Sequence, residues 1–259
     1  MKYTYITVCY NAAKVIEKTM DSVVNQTYRD IEYILVDGAS SDGTKEIIMR
    51  YAAKDSRIRF VSEPDHGIYD AMNKGIDMAS GDIINILNAG DSLKGRKTLE
   101  NLDRFIQSHD ADIYYGNIIY CYPDGKTSTR VYSPFCGTKF YYLLGDCVNH
   151  QSIYARKECF EHNNFDQKYQ ISADRDWMIR MHKAGKRYMA TGITICRYSL
   201  DPSSASVSRE ALAWDENKAQ IKQYFPLGYP IYWTLDKIRH GKMSSKILHK
   251  AYELVFLRK

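Results

Sequence analysis

Side chains able to hold a small polar ligand occur in three short clusters, each directly after an apolar run. The clusters span residues 9–11, 37–44 and 88–91. Carboxylates such as Asp37 and Asp91 accept hydrogen bonds from N–H and hydroxyl groups, and they also bind divalent cations. A turn or a helix cap explains any one cluster equally well. Three clusters in equivalent positions favour a shared binding site.

The apolar runs before these clusters alternate with helical patterns. Strands are predicted over residues 3–10, 31–36, 58–61 and 82–87, and segments with apolar residues at helical spacing lie between them. This order is typical of a mostly parallel sheet with helices on both faces. Because the carboxyl ends of parallel strands meet at one edge, we expect the three clusters to converge there.

The second half of the chain has a different pattern. Residues 112–132 form a predicted hairpin about Pro123-Asp124-Gly125, followed later by a helix over 173–183 and a strand over 187–198. The sheet is therefore expected to be mixed. We predict an α/β fold in which residues 1–205 form the main domain and residues 206–259 form a helical, basic C-terminal appendage.

Composition narrows the class of protein. The 259 residues are 44% hydrophobic and 26% charged, which is typical of a globular protein. No apolar run reaches the roughly 20 residues that a membrane span needs. The net charge of +5 is too small to indicate nucleic-acid binding. Six scattered cysteines without a C-x-x-C pair favour reduced thiols, so we expect a cytoplasmic protein that is not exported.

The chain resembles family 2 glycosyltransferases with the GT-A fold, a Rossmann-like mixed sheet. The resemblance extends over roughly residues 3–200 and is carried by motifs that occur in the family's order. These motifs are residues 7–11, 22–28, 34–44, 63–76 and 79–91. The stretch from His66 to Ile76, H-G-I-Y-D-A-M-N-K-G-I, is similar to transferases of bacterial surface-polysaccharide assembly, such as those for colanic acid, capsule or O-antigen.

The resemblance implies an enzyme of the hexosyltransferase type that uses a nucleoside diphosphate sugar, with uridine as the expected nucleoside. It assigns Asp37 to accept a hydrogen bond from the base and Tyr10 to cover the ring. Thr7 and Cys9 are expected to contribute backbone groups. Asp42 contacts the ribose or the base edge, or it caps the following helix; the two readings are equally supported.

The resemblance also implies Mn²⁺ or Mg²⁺ as cofactor, held by the family's Asp-x-Asp motif. Here the motif reads Leu87-Asn88-Ala89-Gly90-Asp91, so two of three potential acids are missing. Asp91 is the remaining metal-ligand candidate, and Asn88 is expected to bind ribose or water on the nucleotide side. One carboxylate suffices when phosphate oxygens and waters complete the coordination.

At a position where the family often has an arginine, this chain has Met72. Lys74 or His66 is the expected substitute next to the nucleotide diphosphate. The alternative for Lys74 is a solvated charge on a helix surface.

Inverting transfer requires a general base at the acceptor hydroxyl. The resemblance places this base at Asp174, within Ser172-Ala173-Asp174-Arg175-Asp176-Trp177. Asp176 is instead expected to cap the helix or to pair with Arg180 four residues later.

On the acceptor side, the segment Asn149-His150-Gln151 resembles the family's H-Q pair. His150 and Gln151 are therefore expected near the acceptor. Trp177 either presents its ring to an acceptor sugar or packs in the core, and we weigh these two alternatives equally.

The C-terminal segment after residue 230 carries an excess of basic residues and a helical apolar pattern over 247–256. A basic amphipathic helix binds anionic membranes, which would suit a lipid-linked glycan acceptor at the inner face of the cell membrane. Packing on the main domain or a homodimer contact is the equal alternative. Two other functions remain open: a non-catalytic nucleotide-sugar-binding scaffold and a nucleotidyltransferase.

Overall fold

The structure is a computed structural model that describes residues 1–200 and 209–240. Its strands are β1 (Tyr3–Cys9), β2 (Ile31–Asp37), β3 (Ile58–Ser62), β4 (Ile83–Ile86), β5 (Ser92–Leu93), β6 (Ile113–Cys121), β7 (Thr127–Arg130), β8 (Ile153–Arg156) and β9 (Tyr188–Ser199). Its helices are α1 (Ile16–Val24), α2 (Thr44–Ala52), α3 (Ile68–Met78), α4 (Thr98–Ser108), α5 (Lys139–Leu143), α6 (Ala173–Lys183), α7 (Glu210–Tyr224) and α8 (Tyr229–His240).

The strands form one mixed sheet in the order β3-β2-β1-β4-β8-β6-β9-β5, with β7 paired to β6. The first four strands are mutually parallel. β8 then runs antiparallel to β4 and to β6, and β6 pairs with β9 in parallel. The predicted mixed α/β sheet is confirmed.

The central strands are buried on both faces. Every residue of β1 and of β2 is buried, as expected for parallel strands covered by helices on each side. α3 approaches β1 closely at Gly75, where a Cβ atom would collide with Ile6. This approach packs α3 directly against the middle of β1.

The elements of the second half differ in part from the prediction. The hairpin is confirmed as β6 and β7. The sequence analysis missed α4, although Leu99, Leu102 and Ile106 occur at helical spacing and are buried. It also missed the short elements β5 and α5, whose lengths of two and five residues are too small for a periodic pattern.

The C-terminal region is helical as far as it is described. The predicted domain boundary between residues 205 and 206 falls within 201–208, which lie outside the described residues. The predicted amphipathic segment over 247–256 also lies outside the described residues. Ile221, Phe225 and Tyr232 are buried, so α7 and α8 share the core of the main domain. Among the described helices, none combines the length and apolarity needed to cross a bilayer.

Candidate active site

An open cleft of about 900 Å³ lies at the carboxyl ends of β1 and β4. Its walls come from the ends of these strands, the first turns of α3, a 3₁₀ turn at His150–Ser152, the loop before α6 and the end of β9. The clusters after β1 and β4 therefore converge on one edge, as predicted. The cluster after β2 contributes Asp42.

Asp174 lies in the first turn of α6 and faces the cleft. Its Oδ2 is 2.8 Å from His150 Nδ1, and its Oδ1 accepts from the backbone N–H of Arg175 at 2.9 Å. The Tyr69 hydroxyl lies 3.1 Å from the same Oδ1 and 2.6 Å from the Ile171 carbonyl. The hydrogen bonds from His150 and Arg175 hold the carboxylate in one orientation.

His150 connects Asp174 to the segment after β4. Its Nε2 lies 3.1 Å from Asn88 Nδ2. Because the amide nitrogen can only donate, Nε2 must accept, and the proton of the neutral ring is then on Nδ1, which donates to Asp174. These two contacts connect Asn88, a predicted nucleotide-binding residue, through His150 to Asp174, the predicted base.

Asp91 is buried at the bottom of the cleft, with 4% of its surface exposed. Gln151 Nε2 donates to its Oδ2 at 3.1 Å, and the backbone N–H of Ser199 donates to its Oδ1 at 2.9 Å. Burial raises the pKa of Asp91 to about 6, although these donors and His150 oppose the rise. A nearby cation would restore the fully ionised form.

The donor atoms around Asp91 fit a hard divalent cation. Asn88 Oδ1 and Gln151 Oε1 are buried acceptors without a hydrogen-bond partner. Oxygen atoms of carboxylates and amides are the ligands that Mg²⁺ and Mn²⁺ prefer. Within residues 1–200 and 209–240, no group of three His, Cys, Asp or Glu side chains is placed to hold a metal. Asp91 as the metal ligand remains a prediction.

Two residues predicted to bind the nucleotide point away from the cleft. The Asp37 carboxylate is fully buried and accepts from Ser62 Oγ at 2.7 Å and from the backbone N–H and hydroxyl of Ser40. The Thr7 hydroxyl donates to the Leu87 carbonyl at 2.7 Å inside the sheet. Neither side chain lines the cleft, and their role in binding the nucleotide remains a prediction.

Three other nucleotide candidates reach the cleft. Cys9 and Tyr10 line it, and the Tyr10 side chain, at 69% exposure, offers an open ring face. Asp42 lines it too, but its carboxylate also accepts from Thr44 N at 3.1 Å and from Ala13 N at 3.0 Å. Hydrogen bonds from Thr44 and Ala13 lower the pKa of Asp42. Asp42 thus fastens the start of α2, in agreement with the capping alternative.

Lys74 does not reach the cleft. Its ammonium group lies 2.9 Å from Glu63 and 3.5 Å from Asp70, and it donates to the Pro64 carbonyl at 2.9 Å. The structure therefore places this cation in a local ion-pair cluster on α3. The surface alternative describes its position better than a contact with a diphosphate.

Trp177 is not available to a sugar ring, and the acceptor-side assignment is wrong for it. Its side chain is 2% exposed and stacks on Phe160 with ring centroids 4.6 Å apart. The core-packing alternative is the observed one, because the helical position of Trp177 faces the sheet. Asp176 pairs with Arg180 at 2.8 Å, as expected.

The sequence analysis missed several residues that build the site. The Tyr69 hydroxyl lies within a quoted motif, yet its contact with Asp174 joins positions 105 residues apart. Gln170, Ile171 and Ser199 contribute through backbone or loop position and carry no compositional signal. Glu216 accepts a hydrogen bond from the loop before Asp174, and it lies on α7, beyond the residues that resemble the family.

Comparisons with known proteins identify the family and the fold. The sequence profile described as "Glycosyl transferase family 2" matches residues 4–196. A "PGL/p-HBAD biosynthesis glycosyltransferase" of Mycobacterium bovis is 34% identical over 173 residues, which are 66% of this chain and 65% of that protein. Glycosyltransferase GlyG of Streptococcus pneumoniae is 30% identical over 63% of this chain and 50% of its own length. The chain thus spans about half to two thirds of these relatives.

Solved structures show the same fold. TarS of S. aureus in complex with UDP-GlcNAc aligns with a TM-score of 0.70 at 16% identity, over 98% of this chain and 76% of that one. Mannosyltransferase PcManGT from Pyrobaculum calidifontis, in complex with GDP-Man and Mn²⁺, aligns with a TM-score of 0.64 at 20% identity, over 100% and 81%. The GT-A fold is confirmed. With a profile match over most of its length, the chain belongs to glycosyltransferase family 2.

Proposed function

We propose that the chain transfers a hexose from a nucleoside diphosphate sugar to a glycan hydroxyl, with inversion at the anomeric carbon. One observation carries the proposal: Asp174 faces the cleft, and His150 links it to Asn88 in the segment that ends at Asp91. The proposal that these residues serve as base and donor-binding segment is supported by their lining one cleft.

Asp174 acts as the general base. The cleft-lining acids of the described chain are Asp42, Asp91 and Asp174. Asp42 is held by Thr44 and Ala13, and Asp91 is buried. Oδ1 of Asp174 accepts from the backbone N–H of Arg175 and faces the Tyr69 hydroxyl at 3.1 Å, whereas Oδ2 accepts from His150 alone. Oδ2 therefore keeps a free lone pair for the proton of the acceptor hydroxyl.

As the base removes that proton, the oxygen attacks the anomeric carbon and the nucleoside diphosphate leaves from the opposite face. A single displacement of this kind inverts the configuration. The hydrogen bonds from His150 and from the backbone N–H of Arg175 hold the carboxylate in one orientation throughout.

Tyr10, Asn88 and Cys9 bind the donor along the edge formed by β1 and β4. We propose uridine as the nucleoside, supported by the UDP-GlcNAc complex of the TarS structure with the same fold. Asp91 would hold Mn²⁺ or Mg²⁺, which supplies neutralising charge for the departing diphosphate when bound. The unpartnered oxygens of Asn88 and Gln151, which line the same cleft as Asp91, and the Mn²⁺ complex of PcManGT support this cofactor.

The acceptor is proposed to be a lipid-linked glycan of polysaccharide biosynthesis, reached from the cytoplasmic face of the membrane. Seven basic residues and two acids follow residue 230. Leu227 is 92% exposed and Ile231 is 58% exposed at the start of this region. Exposed apolar side chains near basic residues suit the surface of an anionic membrane. A homodimer contact is the competing use of the same region.

A panel of nucleotide sugars tests the donor assignment. Thermal unfolding is followed with each sugar, with and without Mn²⁺, because a ligand stabilises the folded state by mass action. UDP-sugars are expected to raise the midpoint most, and NMR of the product is expected to show an inverted anomeric configuration. Stabilisation by GDP- or dTDP-sugars alone would contradict the uridine assignment, and a retained configuration would contradict single displacement.

A further inference from the structure

Helix α7 presents three polar side chains to the loop and helix that carry Asp174. Glu216, Gln220 and Tyr224 are spaced four residues apart, so they lie on one face of the helix. The family profile ends at residue 196, and α7 begins at Glu210. These contacts therefore come from a part of the chain that the family resemblance does not cover.

Glu216 binds three consecutive backbone N–H groups in front of α6. Its carboxylate accepts from Gln170 at 2.6 Å, from Ile171 at 3.1 Å and from Ser172 at 2.9 Å. It also accepts from the Ser172 hydroxyl at 2.7 Å. Glu216 is 8% exposed, and hydrogen bonds from several donors to a buried carboxylate are strong.

Gln220 and Tyr224 extend the contact along α6. Gln220 Nε2 donates to the Ser172 carbonyl at 2.9 Å, and its Oε1 accepts from Arg175 at 2.7 Å. The Tyr224 hydroxyl donates to Asp176 at 2.7 Å. The residues on both sides of Asp174 are thereby fastened to α7, whereas Asp174 itself turns to the cleft.

The loop that Glu216 holds also touches the cleft and the proposed base. Gln170 and Ile171 line the cleft. The Ile171 carbonyl accepts from the Tyr69 hydroxyl, which lies 3.1 Å from Asp174. A shift of this loop would therefore move both Asp174 and its hydrogen-bond partner.

We propose that Glu216 and Gln220 are positioning residues that hold the loop 170–172 and, through it, Asp174 in the orientation required for proton transfer. The inference rests on the proposed function for the role of Asp174. In this proposal α7 is part of the active-site architecture. Residues 209–224 then belong with the transferase domain and not with a separate C-terminal appendage.

The test compares Glu216→Gln with Asp215→Asn. Glutamine keeps the size but turns an NH₂ group toward backbone donors, whereas Asp215 is an exposed acid on the same helix, 3.8 Å from Lys218. We expect Glu216→Gln to lower kcat at least ~10-fold, because misplacement of a catalytic group by about 1 Å costs up to ~10²-fold. The dissociation constant of the donor is expected to stay within about twofold. Asp215→Asn should change neither quantity.

Amide hydrogen exchange at residues 170–172 gives a readout that does not depend on transfer. Faster exchange there in Glu216→Gln, with exchange unchanged in Asp215→Asn, is expected. Gln220→Ala is measured in parallel, so that the test survives if Glu216→Gln fails to fold. It should show smaller losses of the same kind.

Unchanged amide exchange at residues 170–172 in folded Glu216→Gln overturns the inference. An unchanged kcat, calculated from the concentration of protein that binds the donor, also overturns it. A fall in activity that only follows the fraction of folded protein also overturns it. If the wild type transfers no sugar, the proposed function fails, and the exchange data still decide whether α7 holds the loop.

Discussion

His150 Nδ1 lies 2.8 Å from Asp174 Oδ2, and both side chains are largely shielded from solvent, with exposures of 15% and 18%. The ring reaches Asn88 on its other side. A histidine that the family resemblance assigns to the acceptor side is therefore a direct partner of the proposed base. It couples the orientation of the base to the donor-binding segment.

The first prediction concerns this contact. His150→Leu removes the donor to Asp174, so the carboxylate loses a hydrogen bond that orients it. We expect kcat to fall at least ~10-fold, because a misplaced catalytic group lowers the rate. His150→Asn, whose amide nitrogen can replace Nδ1, should restore part of the loss. Equal losses in the two variants would contradict a hydrogen-bonding role.

The second prediction concerns Asp91 and the metal. A site with one protein carboxylate should bind Mn²⁺ weakly alone and more tightly with a nucleoside diphosphate, and the metal should tighten the nucleotide by the same factor. Asp91→Ala should abolish this coupling. Tyr10→Ala should instead weaken the nucleotide equally with and without Mn²⁺. Calorimetric titration measures both, and coupling that survives in Asp91→Ala would exclude Asp91 as the ligand.

A third prediction concerns the stability of the sheet. Burial raises the pKa of Glu32, but hydrogen bonds from Ser80 and Thr4 outweigh it and lower the pKa from 4.5 to about 2. Because the folded pKa is depressed, Glu32 stabilises the fold fully above pH 4.5, and this contribution is lost as the pH falls toward 2.

Glu32→Gln should accordingly lower the free energy of unfolding at pH 7 by about 1–3 kcal/mol. The difference from the wild type should shrink as the pH falls below 4.5. Urea unfolding at several pH values measures it. Glu46→Gln, an exposed acid on α2, serves as the control and should have no effect. A difference between wild type and Glu32→Gln that stays constant down to pH 2 would contradict the assignment.

The fourth prediction concerns the basic C-terminal segment. The full chain should sediment with anionic vesicles at low salt and dissociate as salt rises, because screening over ~8–10 Å weakens the attraction. Lys246→Gln combined with Lys250→Gln should weaken this binding. Lys45→Gln combined with Lys126→Gln, on the main domain, should not. Equal binding to neutral vesicles, or none to either kind, would favour packing or dimerisation.

The sequence predicts the scaffold well and the contacts of the site poorly. Continuous apolar runs identify β1, β2 and β4, and helical apolar spacing identifies the helices between the strands, because burial controls both the pattern and the fold. The contact of His150 with Asp174 joins two elements that meet only after β8 and α6 pack. No local pattern encodes such a contact.

Several predicted site residues do not line the cleft, for a common physical reason. Motif position identifies a residue but not the direction of its side chain. Asp37 turns toward Ser40 and Ser62, Lys74 turns toward Glu63, and Trp177 turns into the core. In each case neighbours in the folded structure contact the polar or apolar group. The support from Glu216 lies outside the family motifs altogether.

The central claim is that Asp174 is the general base, and Asp174→Asn tests it most directly. Asparagine keeps the shape and one acceptor oxygen, but its NH₂ group replaces the other oxygen and cannot take the acceptor proton. Donor affinity measured by calorimetry should be unchanged, while the rate of transfer should fall by ~10²–10⁴-fold. Asp166→Asn, a surface acid paired with Lys168, serves as the control and should retain full activity. Near-normal transfer by Asp174→Asn would contradict the account.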